Sequence, residues 1–211
     1  MLTKQQLAKQ LLEIKAVQIQ PDRPFKWTSG IQSPVYCDNR LTMSFPVLRG
    51  AIADSFTTYI KEHYPMAEVV VGCATAGIPH AAWVAERLQL PMAYVRSEPK
   101  GHGKQNKIEG NLLESQHCVI IEDLISTGKS SIAVADSIVE AGGIVDGVLS
   151  IFSYELSEGR EAFKQSGYPY YSMTDFPTML EWMKDEGRIN DETLATLLGW
   201  MESPRSFSFN Y

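Results

Sequence analysis

Apolar residues recur at helical spacing over residues 3–16, where Leu7, Leu11, Leu12 and Ile14 fall on one side and predict an amphipathic helix. Residues 20–46 break that rhythm. Pro21, Pro24, Gly30, Pro34 and Pro46 punctuate short strand-like pieces such as Val35-Tyr36-Cys37, the pattern of a small irregular subdomain. Helical spacing resumes from about Val47 to His63. An alternation then begins, with strands at 68–72, 93–96, 117–124 and 144–152 separated by helices at 78–88 and 129–141. Pro79 is tolerated in the first turn of one helix, and Gly142-Gly143 stops the next. A helix at about 155–166, an edge strand at 170–176 and helices at about 177–186 and 191–201 complete the pattern. Strand following helix following strand implies an α/β fold, its central sheet mostly parallel and covered by helices on both faces.

The chemistry concentrates between Cys118 and Ser131. The apolar run Val119-Ile-Ile ends in the adjacent acids Glu122 and Asp123, then in Leu124-Ile125-Ser126-Thr127-Gly128-Lys129-Ser130, then in a helical pattern. In open α/β sheets, ligands bind at the carboxyl ends of the strands, where the two acids stand. The hydroxyls and backbone N–H groups of the following loop form an anion site at a helix N-terminus. Gly128-Lys129-Ser130 looks like the end of a nucleoside-triphosphate loop, but that motif needs glycine where Asp123 stands. An ordinary helix capped by Ser126 or Thr127 accounts for a hydroxyl and leaves the paired acids unexplained.

Val119-Ile-Ile-Glu-Asp-Leu-Ile-Ser-Thr-Gly resembles the phosphoribosyl pyrophosphate (PRPP) motif of the type I phosphoribosyltransferases. The resemblance implies that fold, with a small N-terminal hood over about residues 1–46 and a core over about 47–211 in one domain. It also implies that Glu122 and Asp123 hold the ribose hydroxyls while the loop from Leu124 to Ser130 wraps the 5′-phosphate. Carboxylates accept from hydroxyls and N–H groups donate to phosphate, so the residue types agree. Val71-Gly-Cys-Ala-Thr-Ala-Gly-Ile-Pro79 is similar to the family's pyrophosphate turn. Some members carry lysine where Ala76 stands, which leaves backbone and Thr75 to bind there.

Two further segments resemble one branch, the orotate phosphoribosyltransferases. Trp27-Thr-Ser-Gly-Ile-Gln-Ser-Pro-Val-Tyr36 is similar to its hood motif, and Tyr94-Val-Arg-Ser-Glu-Pro-Lys-Gly-His-Gly103 to its catalytic loop. That loop is a basic cluster in a chain of net charge −6, with Arg96, Lys100, His102, Lys104 and Lys107 opposed locally by Glu98. By resemblance Arg96, Lys100 and His102 bind pyrophosphate and serve catalysis, and Ser126 and Tyr36 contact orotate. Ser97 replaces a lysine common in the branch, and Tyr154 stands where many members place an arginine for the orotate carboxylate.

The activity implied is phosphoribosyl transfer from PRPP to orotate, with Mg²⁺ near Glu122 and Asp123 and a homodimer that shares its 96–110 loop between subunits. A purine-specific phosphoribosyltransferase would share Glu122–Ser130 but lack the hood motif. A non-catalytic PRPP-sensing regulator would lack the cationic loop. Length and composition suit one globular domain: 211 residues, 44% hydrophobic and 21% charged. The acidic balance argues against nucleic-acid binding, no apolar stretch approaches membrane-spanning length, and the start lacks the apolar core of a signal peptide. Cys37, Cys73 and Cys118 lack metal spacing and read as reduced thiols of a cytoplasmic protein.

Overall fold

The computed structural model describes residues 2–27, 30–96 and 107–207. The chain opens with α1 (Lys4–Glu13), then β1 (Val17–Ile19), β2 (Phe25–Lys26), β3 (Gln32–Ser33) and β4 (Val35–Cys37), and a 3-10 turn at Asn39–Ser44. Next come α2 (Pro46–His63), β5 (Val69–Cys73), α3 (Gly77–Leu88), β6 (Met92–Val95), β7 (Ile108–Glu109) and β8 (His117–Ile125). The remainder alternates as α4 (Lys129–Glu140), β9 (Ile144–Ser153), α5 (Ser157–Ser166), β10 (Tyr170–Asp175), α6 (Phe176–Asp185) and α7 (Asp191–Glu202).

The main sheet is ordered β10-β9-β8-β5-β6-β7, parallel throughout except for the antiparallel β7 at its edge. Its central strands are apolar on both sides, as a doubly covered parallel sheet requires. Successive residues of β8 serve opposite faces: Val119 and Ile121 pack with α1, α2, α3, α6 and α7, while Cys118 and Ile120 pack toward α4 and α5. The expected helices on both faces are therefore present.

The order of strands departs from expectation in one place that matters. The sequence pattern puts the strand before the basic loop beside the strand carrying Glu122 and Asp123; the structure inserts β5 between them. The chain builds β5 and β6 outward, then returns to the other side of β5 to lay down β8. Strand order thus reverses between β5 and β8, the position where open α/β sheets bind ligands beyond the carboxyl ends of their strands. The two-residue β7 also escaped the sequence reading, because so short a segment carries no periodicity.

The N-terminal segment covers this end of the sheet. β1 pairs with β4, and β2 with β3, both antiparallel. The C-terminal helices brace it: Trp200 of α7 is fully buried, its Nε1 donates to the Gln32 carbonyl (2.9 Å), and its ring meets Trp27 edge-on at 5.8 Å. α1, begun by a reciprocal Thr3–Gln6 capping box, packs on β10 and α6; Lys4 reaches Asp175 (2.6 Å) and the Thr174 hydroxyl donates to the Lys4 carbonyl (2.8 Å). All three cysteines are buried and free.

α3 starts unusually close to β8. A Cβ added at Gly77 would collide with the Ile121 carbonyl and lie 3.3 Å from the Glu122 Cα. Both clashing groups are backbone in a central strand, so neither yields cheaply. Gly77→Ala is expected to destabilise by about 1–3 kcal/mol, as overpacking does. In a chain of this size that lowers the thermal midpoint by roughly 2–10 °C, which scanning calorimetry would measure.

Candidate active site

Three backbone segments converge where strand order reverses. After β5, the turn Ala74-Thr75-Ala76 leads into α3, which has no side-chain cap at its N-terminus. At the end of β8 stand Glu122, Asp123 and Leu124. The third segment is the stretch from Cys37 through the 3-10 turn. Together they enclose a cavity of about 580 Å³ lined by Thr75, Ala76, Glu122, Asp123, Leu124 and Ser130, with Asp38 and Arg40 from the hood side.

The two acids are held differently. Glu122 is 5% exposed, and its carboxylate accepts from the hydroxyls of Ser131 (3.2 Å) and Ser130 (3.4 Å) and from the Asp123 N–H (3.0 Å). Burial, and then the charge of Asp123, hold its carboxyl well above the usual carboxylate range. Burial also raises Asp123, against the opposing pull of its hydrogen bonds and the Arg40 charge. Two acids this close titrate as a pair. Among the described residues no group of three or more His, Cys, Asp or Glu is placed to hold a metal.

Sequence reasoning missed the residue that fixes this corner. Asn39 is completely buried, and its Nδ2 donates to the Asp123 carbonyl at 2.6 Å, which ties the hood to the end of β8. Thr42 extends the link: its hydroxyl donates to the Asn39 carbonyl (2.6 Å) and lies 3.3 Å from His80 Nε2. With the Thr42 proton so committed, His80 carries its own proton on Nε2. Burial pushes His80 down to about 4, so it stays neutral. The only sequence signal was an asparagine between two charged residues, Asp38 and Arg40.

The loop after β8 leads into a helix N-terminus that no side chain caps. Gly128 occupies the N-cap of α4 with φ of +76°. Neither Ser126 nor Thr127 caps the helix, so no side chain competes for the first-turn N–H groups. A side chain at Gly128 would be strained, and its Cβ would lie 2.9 Å from the Phe163 ring. Ile125 points into the core, 2% exposed, and Lys129 is 78% exposed with its Nζ 3.9 Å from Glu158.

A second cavity of about 370 Å³ adjoins the first across Cys37 and Leu124, which line both. Lys26, Trp27, Tyr36, Ser126 and Tyr154 complete it. Tyr36 is 38% exposed, available to a ligand and not lost in the core; Tyr154 is buried at 3% and packs 5.0 Å from the Trp27 ring. The cavity is therefore flat-walled and aromatic, with an ammonium and a hydroxyl among its lining groups.

The structure thus gathers Thr75, Glu122, Asp123, Leu124 and Ser130 around one cavity and Tyr36 and Ser126 around its neighbour. Arg96 lies two strands from β8, its N–H bonded to the Lys107 carbonyl (2.9 Å) and its Nη1 3.5 Å from Glu109. Lys100 and His102, like Ser97, Lys104, Thr28 and Ser29, lie outside the described residues.

Residues 44–154 match the model of the phosphoribosyl transferase domain. The chain is 52% identical to the orotate phosphoribosyltransferase of Halalkalibacterium halodurans, over 98% of each chain. It is 51% identical to that of Bacillus subtilis, over 97% of this chain and 95% of the relative. Its fold is similar to the crystal structure of orotate phosphoribosyltransferase from Aeropyrum pernix, with a TM-score of 0.74 and 28% identity over 87% of this chain and 99% of that one.

The elevated Glu122 titration makes a signed prediction. A buried acid whose folded value lies above the unfolded one stabilises the fold at low pH. That contribution is lost as pH rises from about 4.3 through the folded value. Glu122→Gln removes the loss, so its thermal midpoint should exceed the unsubstituted protein's near pH 8 and converge with it near about pH 5. Calorimetric scans across that range check this.

Proposed function

The chain belongs to the phosphoribosyl transferase family, in its orotate phosphoribosyltransferase branch, and we propose that it transfers the 5-phosphoribosyl group of PRPP to orotate, giving orotidine 5′-monophosphate and pyrophosphate in pyrimidine nucleotide synthesis. The observation that carries this reading is the pair of adjoining cavities, one acid-lined beside two uncapped helix N-termini, the other aromatic. The first suits a ribose bearing phosphate at both ends; the second suits a flat heterocycle.

In this arrangement the N-terminus of α4, including the Ser130 N–H, and the hydroxyls of Ser126 and Thr127 hold the 5′-phosphate. Asp123 accepts from the ribose hydroxyls, with Glu122 behind it. The turn at Thr75 and the N-terminus of α3 receive the pyrophosphate. Tyr36 and Trp27 flank the pyrimidine, while Lys26 and Ser126 offer donors to its oxygens. As the C1–oxygen bond breaks, its electron pair leaves with pyrophosphate and the ribose ring becomes cationic. Orotate N1 then bonds to C1, and its proton passes to the departing pyrophosphate or to solvent. Catalysis comes from stabilising the departing charge, and no protein nucleophile is required. Lys100, Arg96 and His102 are assigned to that charge from the resemblance of their loop.

The donor set also fits Mg²⁺. Hard carboxylate oxygens border the cavity without forming a protein cage, the usual setting for a magnesium ion that keeps waters and substrate oxygens as ligands. When bound, the ion would neutralise pyrophosphate charge, and Asp123 would be its nearest protein carboxylate. The reading includes a homodimer sharing the 96–110 loop and a cytoplasmic setting, in keeping with three free thiols and with the exposed apolar Phe45 and Val47. No described helix is long and apolar enough to cross a membrane.

The test is a panel of acceptors with PRPP and Mg²⁺, following orotate loss by its ultraviolet absorbance. Turnover with orotate and none with uracil, adenine, hypoxanthine or xanthine is expected. Turnover with a purine would favour the purine-specific reading, and PRPP binding without any turnover would favour a sensor.

A further inference from the structure

The acid-lined cavity poses an electrostatic problem. Asp38, Glu122 and Asp123 all border it, yet its ligand is to be a polyanion. The turn facing them, Ala74-Thr75-Ala76, contributes no cation. Among the residues lining this cavity one cation stands out, Arg40, projected from the 3-10 turn of the hood.

Arg40 is pre-set by its neighbours. Its Nε donates to Asp38 Oδ1 (2.6 Å) and its Nη2 to Asp38 Oδ2 (2.9 Å), a two-pronged pairing that fixes the guanidinium plane. Asp38 also accepts from the Arg40 backbone N–H at 3.2 Å. The turn carrying both is tied to the Asp123 carbonyl through Asn39. From its far side Arg49 Nη1 donates to the Met43 carbonyl at 2.6 Å. The side chain nevertheless stays 62% exposed, and its Nη1 edge has no hydrogen bond to protein among the described residues. A guanidinium held on one edge by a carboxylate offers the other edge to phosphate oxygens at little further entropic cost.

We propose that Arg40 binds the diphosphate end of the phosphoribosyl donor, supplying from the hood the cation that the turn at Ala76 lacks. The proposal rests on the reading of the cavity as a PRPP site and names a further contact within it. Asp38 acts through Arg40 as a positioning residue. The 5′-phosphate is not the target, because the loop at 126–130 serves it at the other end of the ribose. The arrangement also places a charge on the leaving group from within the described fold, independent of the loop carrying Lys100 and His102.

Calorimetric titration of the full chain with magnesium pyrophosphate, and separately with PRPP, tests this in Arg40→Ala, Arg40→Gln and Arg40→Lys. Loss of a charge-assisted contact should raise both dissociation constants by about 10- to 100-fold in Arg40→Ala and Arg40→Gln. Arg40→Lys should recover part of that, and the KM for orotate should move less than about threefold. Constants for pyrophosphate within about threefold of the unsubstituted protein would overturn the assignment, as would an equal loss on orotate. Should Arg40→Ala fail to fold, the Gln and Lys variants read the same constants. An unsubstituted protein that binds PRPP but never turns over orotate would sink the transferase reading alone, leaving the diphosphate contact to stand or fall on the variants.

Discussion

The structure depends on burying an acid at the end of its central strand. Glu122 terminates an apolar run that both faces of the sheet need, and it keeps its place only because Ser130, Ser131 and the Asp123 N–H donate to it. The two serines come from the start of α4, so satisfying Glu122 also ties the start of that helix to the strand end. An unpaired buried carboxylate would be costly; hydrogen-bonded and partly protonated, it is tolerable. Stability is thereby set against a site that functions with charge.

Around that strand end each element supplies one constraint. The reversal between β5 and β8 opens the crevice. Gly77 lets α3 approach close enough for its N-terminus to face the cavity. Asn39 clamps the hood to the Asp123 carbonyl, and Trp200 clamps the hood to the C-terminal helices. The two cavities share Cys37 and Leu124, so a ligand spanning them meets a continuous wall rather than two separate pockets. A donor and an acceptor held in contiguous sites need little further ordering before they react.

Much of this was legible along the chain because the relevant signals are local. Residues 117–124 read as a strand from their apolar run, and the two acids and the glycine-bearing loop that follow it stand at adjacent positions. Long-range features were not. Nothing in the spacing of residues 93–96 says that β5 will intervene between that strand and β8, since sheet order is decided by crossover packing. Asn39 looked like one polar residue among others, because its partner is the Asp123 backbone, whose carbonyl has no sequence signature. That Gly128 takes the N-cap of α4, in a left-handed conformation, is likewise visible only in the folded turn. The helix at 191–201 was legible from its pattern, but its contact was not, because Trp200 donates to the Gln32 backbone carbonyl.

The central claim is that the acids at the end of β8 bind ribose in a phosphoribosyl donor. Titrating PRPP with Mg²⁺ into the unsubstituted protein and into Asp123→Asn tests it most directly. Binding weakened by about tenfold or more in the variant, with its fold retained, is the expected result, because the hydroxyls lose a charged acceptor. Equal affinity in the two proteins would contradict the account, since the corner that Asn39, Glu122 and the hood are built to position would then bind something else.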